Sequence, residues 1–505
     1  MNRRRALAVS GAFLAVAAVF GILALCGAFT GETRTEPPSS MLVQASEGLD
    51  TIAVEAAFHP DTASLEVWQH MTLLNRTGAD LNEAVLRTWP NAFQSPDTSP
   101  CATDGLYESC YPAGFSSGAL VMAEAVAAME GGDGEVVAYR YTDGAKTVLS
   151  LPLPASWRAG AKAELTLRYT VQIPQAAYRF GRQNGFWALG NAFANPAVWE
   201  NGAWRTDEYA PVGDPFLSDC ANYTVSIAVP DGYRCVGSGW PETEPADGGQ
   251  TLYRFDARAV RDFALVISDR FQTAQAMEGG VLVSVSAASA ASAREALGYA
   301  RQALRCYRER YGEYPYQSLS LAEIDFPMGG MEYPAMAMIA SSQLSAGGAS
   351  LEWVVAHEVA HQWWYAVVGS DPVNQAWQDE ALCEFSLLDY VETVYGLSRR
   401  QELEATRIEP AMRVTVPRGV TPGAPLSYFS SMSEYSLVVY NRGAAMLCAL
   451  DRAMEGGLDG ILKAYYRRYA FGRAGREDFE ALLSSETGED FAPLIMDYLD
   501  TYIHN

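Results

Sequence analysis

The chain has 505 residues, 49% of them hydrophobic and 19% charged, which is the composition of a globular protein with material for about three domains. Its formal net charge of −24 argues against nucleic acid and anionic membrane surfaces as partners, because both would repel it. The acidity says little about the substrate, since acidic residues spread over a surface mainly serve solubility.

The N-terminal segment combines positive charge with an uncharged stretch. Three arginines at positions 3–5 precede an uncharged stretch over residues 6–29, long enough at about 1.5 Å per residue to cross a hydrocarbon core of about 30 Å. We predict a cytoplasmic stub and transmembrane anchor over residues 1–30, with the rest of the chain outside the cytoplasm. A cleaved signal peptide is the alternative, although its apolar region is normally shorter. Lipid attachment at Cys26 is a weaker one, because Leu25 stands where a small residue is preferred.

A strand-rich region follows a predicted linker over residues 31–45, which begins with a polar stretch containing two prolines. From about Leu49 to Gln272, short runs alternate apolar and polar residues between clusters of Gly, Pro and Asp. The clearest runs are residues 51–55, 65–68, 163–169 and 223–227. We predict a large all-β, sandwich-like domain over residues 46–273.

Four cysteines in this region form two possible disulfide pairs. Cys101 and Cys110 bracket a short loop, and Cys220 and Cys235 flank a predicted strand, so each pair could form a disulfide outside the cytoplasm. For both pairs the thiol form stays open as the alternative. Three further cysteines lie in helical patterns and are predicted to be buried thiols: Cys306, Cys383 and Cys448.

The hydrophobic period changes near residue 274. After a strand at 281–285, the pattern predicts a helix over 291–311, a strand over 319–324 and mostly helices to the C-terminus. The second half, residues 274–505, is therefore predicted to be an α+β domain.

The strongest chemical signal is the H-E-x-x-H motif at residues 357–361. Histidines at i and i+4 lie one turn apart on one helix face, so His357 and His361 can both direct an imidazole at one ion. Glu358 faces the same cavity without being a ligand. Eighteen residues separate His361 from Glu380, which supplies a third ligand from a following helix. We predict one catalytic zinc ion per chain, with water in the fourth position.

The residues around this motif predict its setting. Apolar residues from Leu351 to Val368 indicate a largely buried helix, which residues 369–372 then break. Asp379 is predicted to cap the next helix, with Glu380 in its first turn. Glu384, one turn further on, is either a partner of the zinc ligands or an ordinary hydrogen-bonded glutamate.

A second motif, Gly329-Gly330-Met331-Glu332, stands just before the zinc helix. Together with the zinc motif it resembles the G-x-M-E signature of the aminopeptidase N family of gluzincin metallopeptidases. The segment from Val439 to Ala445 is similar to the Y-x-K-G segment of that family. The resemblance covers about Leu49 to the end, and it implies a catalytic domain of the thermolysin-like fold.

The sequence departs from the family pattern at a few positions. Tyr333, Ala381 and Arg442 stand where most members have Asn, Gly and Lys. We also expect a short member without the long helical domain that roofs the cleft in many relatives, so the selection of substrate length is open.

The resemblance implies roles for individual residues. Tyr440 donates its hydroxyl to the oxyanion, and Glu332 pairs with the free α-ammonium of the substrate. Gly329, Gly330 and Met331 belong to the same substrate-binding segment, in which the glycine backbone can pair with the peptide as an added strand. Tyr435 coincides with a second tyrosine of some members, although a plain core aromatic is the alternative.

These patterns predict a membrane-anchored zinc aminopeptidase that acts outside the cytoplasm on peptides with a free N-terminus. Glu358 would take a proton from the zinc-bound water and pass it to the leaving amine. A thermolysin-like endopeptidase is the first alternative. A non-catalytic ectodomain on a peptidase scaffold is the second, although no ligand or catalytic glutamate is lost.

Overall fold

A computed structural model describes residues 37–101 and 106–501. Within these two ranges, no helix is both long and apolar enough to cross a membrane. The anchor predicted for residues 1–30 lies outside the described residues.

The first half of the chain is built from β-strands, as the alternating patterns predict. Its strands are β1 (Asp50–His59), β2 (Ser64–Leu74), β3 (Leu81–Arg87), β4 (Ala119–Met129), β5 (Glu135–Val136), β6 (Arg140–Tyr141), β7 (Val148–Trp157), β8 (Lys162–Gln172), β9 (Phe180–Gln183), β10 (Phe186–Gly190), β11 (Asn195–Pro196), β12 (Trp199–Glu200), β13 (Ala203–Trp204), β14 (Ala221–Pro230), β15 (Arg234–Gly237), β16 (Trp240–Ala246), β17 (Gln250–Val260) and β18 (Ala264–Ser268). The four clearest predicted runs fall in β1, β2, β8 and β14.

These strands form one large sheet and several small ones. The large sheet has eight strands in the order β16-β17-β14-β1-β2-β8-β4-β5. Two four-stranded sheets, β15-β18-β10-β9 and β11-β3-β7-β6, and the ribbon β12-β13 complete the region. On β8, buried residues alternate with more exposed ones, so one face of the large sheet is directed into the core.

The second half is α+β, as predicted. It begins with a five-stranded sheet in the order β19-β20-β21-β23-β22, so β22 lies at its edge. Its strands are β19 (Gln272–Glu278), β20 (Val281–Ala287), β21 (Ser318–Ile324), β22 (Gly330–Tyr333) and β23 (Met336–Ala340). This sheet begins two residues before the predicted boundary at residue 274.

Helices make up most of the remaining chain. They are α1 (Ser40–Ser46), α2 (Leu106–Cys110), α3 (Ala290–Arg310), α4 (Ser341–Ala346), α5 (Gly348–Ala360), α6 (Trp377–Tyr395), α7 (Leu397–Leu403), α8 (Met432–Tyr435), α9 (Gly443–Ala453), α10 (Leu458–Tyr469), α11 (Arg476–Thr487) and α12 (Ala492–Leu499). Two π-helical turns, Glu404–Ile408 and Ser436–Arg442, connect some of them. One continuous cluster of buried apolar residues joins both halves.

The end of the predicted linker is helical. Residues 40–45 belong to α1, which is capped by the Ser39 side chain and buries Leu42 in the core. Met41 and Ala45 pack partly buried against the same core, so apolar residues on one side of this short helix dock it.

The zinc helix is shorter than predicted, because α5 ends at Ala360 and the apolar residues up to Val368 form buried turns instead. The buried Arg261 stabilises these turns, because it donates hydrogen bonds to Tyr365 O at 2.7 Å and Val367 O at 3.2 Å. Within these turns Tyr365 has φ 126°, a value that L-residues rarely adopt. His361 keeps helical angles at the end of α5, so the i, i+4 geometry survives.

The cysteines of the described residues are buried thiols, and neither of the two possible disulfides is formed. Cys220 comes directly before β14 of the large sheet, whereas Cys235 lies in β15 of a separate sheet. The thiols of Cys101 and Cys110 are neighbours, and their contact together with burial raises the pKa of Cys110 far above its usual range.

Candidate active site

Three buried donors converge where α5 and α6 meet. The Nε2 atoms of His357 and His361 are 3.1 Å apart, and each lies 3.4 Å from Glu380 Oε2. In a tetrahedral zinc site with bonds of about 2.0–2.1 Å, neighbouring ligand atoms are roughly 3.3 Å apart. The donor types and their spacing therefore fit one zinc ion held by His357, His361 and Glu380.

An acidic side chain lies next to the Nδ1 atom of each imidazole, on the side of the ring away from the metal site. Asp379 Oδ1 lies 2.6 Å from His361 Nδ1, which fixes the proton on Nδ1 and leaves Nε2 free to bind metal. Glu384 lies 3.5 Å from His357 Nδ1 and is also paired with Arg407. Glu384 is thus a partner of a zinc ligand, which was one of its two predicted roles.

The prediction that Asp379 caps α6 is wrong. The helix begins at Trp377 after Ala376 without a side-chain cap, and Glu380 lies in its first turn as predicted. Because Asp379 is buried and bonded to His361, its side chain is directed into the site and not back along the helix. Burial raises the pKa of Asp379 to about 6, against the attraction of His361.

Glu358 lies at the wall of the same cavity, and its Oε2 has no hydrogen-bond partner among the described residues. Burial raises its pKa to about 7, against the attraction of the two histidines. Gly330 touches this carboxyl group so closely that a Cβ on it would lie 2.5 Å from the Glu358 carboxyl carbon. Only glycine fits at position 330 with Glu358 in this place.

Glu332 is the other carboxyl group that needs a partner. It is buried in β22, its Oε1 has no hydrogen-bond partner among the described residues, and burial raises its pKa well above the usual range. Its carboxylate, that of Glu358 and a nitrogen of His361 lie within 4.8 Å of one another. A buried carboxylate that lacks a protein partner suits a cationic group on a ligand.

The edge strand β22 is tied to the zinc helix by Gln362, whose importance the sequence did not reveal. Gln362 is fully buried beside His361. Its side-chain amide accepts a hydrogen bond from Ala335 N at 2.8 Å and donates one to Tyr333 O at 3.0 Å. The turn after Glu332 is therefore fixed relative to the metal ligands.

Gly329, Gly330 and Met331 also line the cavity. In the described sheet, β22 pairs with β23 alone, so its other edge is open.

Tyr440 approaches the site from the π-helical turn Ser436–Arg442. Its ring stacks on His357 with 5.5 Å between ring centroids and 8° between planes, and it lines the cavity. Burial, with Glu380 nearby, raises its pKa well above the usual range, so it stays a hydroxyl donor. Tyr435 is fully buried and packs edge-on against Tyr440 at 5.7 Å. It is a core aromatic that supports Tyr440.

The three departures from the family pattern have structural counterparts. Tyr333 is buried with its hydroxyl against Gly190, and Arg442 donates a hydrogen bond to Ala411 O at 2.9 Å. Ala381 packs against Gly443, where an added Cβ would meet the Ala381 methyl at 2.5 Å. The side chains at 333 and 381 thus face glycines.

The cavity has a volume of about 600 Å³ and receives residues that the sequence did not suggest. Arg179 and Asp214 come from the β-rich half and form an ion pair on its wall. Leu106 of α2 and Arg407 also line it. Nothing local in the sequence marks these residues, because only the packing of distant segments brings them to the site.

Comparison with known proteins agrees with this geometry. Residues 295–498 match the family model described as peptidase family M1 domain. Aminopeptidase N from Lactobacillus helveticus is 28% identical over 290 residues, which are 51% of this chain and 33% of that protein. Human aminopeptidase B is 23% identical over 278 residues, which are 51% of this chain and 41% of that protein. The chain thus matches about a third of the length of the first of these relatives.

Solved structures share the fold. The M1 zinc metallopeptidase from Deinococcus radiodurans superposes with a TM-score of 0.64 at 17% identity, covering 90% of this chain and 95% of that one. With its His-His-Glu donor set, its G-x-M-E segment and its match to the M1 domain over residues 295–498, the chain is similar to the aminopeptidase N-like gluzincin family of zinc metallopeptidases.

Proposed function

We propose that the protein is a zinc-dependent aminopeptidase that removes the first residue from peptides. The observation that carries this proposal is the unpaired, buried carboxylate oxygen of Glu332 beside Glu358 and the metal donors. An α-ammonium bound there would place the first peptide bond next to the site where hydrolysis takes place, so cleavage follows the first residue.

The residues of the chain divide the work. His357, His361 and Glu380 would hold the zinc ion, which would supply an activated water and polarise the carbonyl of the substrate. Glu358, with a pKa of about 7, accepts a proton at its free oxygen and returns it to the leaving amine. Tyr440 offers a neutral hydroxyl to the developing oxyanion. The open edge of β22 aligns the peptide backbone as an added strand.

The relatives support peptides as substrates. Several carry the name aminopeptidase, and one solved Deinococcus radiodurans M1 structure is described as bound to the substrate Tyr-ser-ala. That chain and this one share the fold at 15% identity and a TM-score of 0.62.

The test is hydrolysis of aminoacyl reporters with and without a chelator, followed by peptides that are either free or acetylated at the N-terminus. We expect trimming of free peptides one residue at a time and no cleavage of acetylated ones. Glu332→Ala should raise KM and lower kcat together, because binding and alignment share one contact. Internal cleavage of acetylated peptides at comparable rates would instead establish the endopeptidase alternative.

We further propose that the N-terminal segment anchors the protein in the cell membrane with the catalytic part outside. The proposal rests on the three arginines before the uncharged stretch over residues 6–29. Protease treatment of intact cells should release an active fragment that begins near residues 31–45. Mature protein that starts at Cys26 or Phe29 would show a lipid anchor or a cleaved signal peptide.

A further inference from the structure

Arg407 brings a positive charge to the wall of the substrate cavity. It lies on the π-helical turn Glu404–Ile408 and its side chain is 37% exposed. Its Nε and Nη2 atoms contact the two oxygens of Glu384 at 2.5 and 3.0 Å. These contacts use one edge of the guanidinium, and the Nη1 edge has no hydrogen-bond partner among the described residues. An arginine held in this way can receive a second carboxylate.

The position of Arg407 relative to the metal donors follows from the chain of contacts. Glu384 reaches the Nδ1 side of His357, whereas the Nε2 side of the same ring faces His361 and Glu380. Arg407 therefore lies beyond His357, on the side away from the metal donors.

Glu332 occupies a different side of the centre. Its carboxylate lies with Glu358 and His361, and Asp214 is among the charged groups near it. The cavity thus offers a buried anion beside His361 and a partly exposed cation beyond His357. Opposite charges on two sides of the metal donors match the two charged ends of a short peptide.

The size of the cavity agrees with such a ligand. A volume of about 600 Å³ falls within the roughly 300–1,000 Å³ usual for small-molecule sites. An extended chain advances about 3.3–3.6 Å per residue, so two or three residues reach across a site of this kind. Trp353 and Val354 of α5 provide an apolar wall for the side chains.

We propose that Arg407 binds the C-terminal carboxylate of a dipeptide or tripeptide whose α-ammonium is bound by Glu332. The protein then prefers very short peptides with a free carboxylate. This inference rests on the proposed aminopeptidase function and adds the substrate class. Arg407, which would recognise the carboxylate, belongs to the second half of the chain.

The experiment compares peptides of two to six residues that differ only in their C-terminal group, free acid or amide. For the wild-type protein we expect kcat/KM to be about tenfold higher for the acid at two or three residues, as for a charge-assisted hydrogen bond. The advantage should vanish in longer peptides, whose carboxylates lie outside. Arg407→Gln should bring the acid-to-amide ratio close to one, and Arg407→Lys should retain part of it.

Two controls separate this inference from simpler explanations. Arg452→Gln removes an arginine that pairs with Glu404 and does not line the cavity, and it should keep the preference for the acid. Aminoacyl reporters carry no carboxylate, so their hydrolysis tests the proposed function independently of Arg407.

Equal rates for acid and amide in the wild-type protein would overturn the inference while the reporters are still cleaved. An equal loss for both substrates in Arg407→Gln would also overturn it, because Arg407 would then act only through Glu384. Failure to cleave the reporters would refute the aminopeptidase function itself.

Discussion

The hydrogen bond between Asp379 and His361 should contribute measurably to zinc affinity. The contact is short at 2.6 Å and buried, so it orients the imidazole and makes Nε2 a better donor. Loss of such a partner typically weakens metal binding about 10–100-fold, which corresponds to about 1.4–2.8 kcal/mol. Asp379→Asn keeps an acceptor and should fall near the lower value, whereas Asp379→Ala removes it and should fall near the higher one.

Glu384→Gln provides the matched comparison. Glu384 is equally buried, but its contact with His357 Nδ1 is longer at 3.5 Å, and its carboxylate is shared with Arg407. We therefore expect a smaller loss of affinity than for Asp379→Ala. The assay is competition for zinc with a chelator of known affinity, followed by metal analysis, so that activity is not needed as a readout.

The outcome that refutes this reasoning is specific. If Asp379→Ala binds zinc as tightly as the wild type while remaining folded by circular dichroism, the short contact does not tune the ligand. If Glu384→Gln shows the larger loss, contact distance is the wrong guide to the strength of these partners.

The remaining predictions concern catalysis and packing. Glu358→Gln should keep zinc bound but lower kcat by about 10²–10⁴-fold, because an amide cannot accept the proton, and metal analysis beside kinetics checks both parts. Tyr440→Phe should lower kcat by about 10²–10³-fold with little change in KM, and an unchanged kcat would remove Tyr440 from the mechanism. Gly443→Ala should destabilise the fold by about 1–3 kcal/mol in denaturant unfolding, because its Cβ would meet Ala381 at 2.5 Å. Adding Ala381→Gly should recover part of that loss, and a strictly additive double variant would contradict the contact.

Local periodicity explains most of what the sequence predicted. The i, i+4 spacing of His357 and His361 is a property of one helix turn, so their convergence needs no knowledge of the rest of the molecule. The same holds for the strand-rich first half, because alternation along β8 directly reflects which face is buried. The third ligand, Glu380, could be predicted from the sequence only because of its spacing from the motif.

Long-range contacts explain what the sequence did not predict. Gln362 and Asp379 are polar residues in apolar surroundings, but their partners depend on how α5, α6 and β22 pack. Arg179 and Asp214 reach the cavity from segments more than a hundred residues away in the sequence. The turns after α5 are another example, since Arg261, far upstream in the chain, donates hydrogen bonds to their carbonyl oxygens.

Arg261 belongs to the first half of the chain, but it donates hydrogen bonds to the turn after the zinc helix in the second half. The second half should therefore depend on the first for its stability. A cut at the apparent boundary near residue 273 would leave Arg261 behind, and with it the hydrogen bonds to Tyr365 and Val367. We expect residues 274–505 produced alone to bind zinc more weakly and to unfold at lower temperature than the longer chain. Equal zinc affinity in that fragment would show that the turn keeps its conformation without the hydrogen bonds from Arg261. An engineered protein that carries this site should therefore include both halves of the chain.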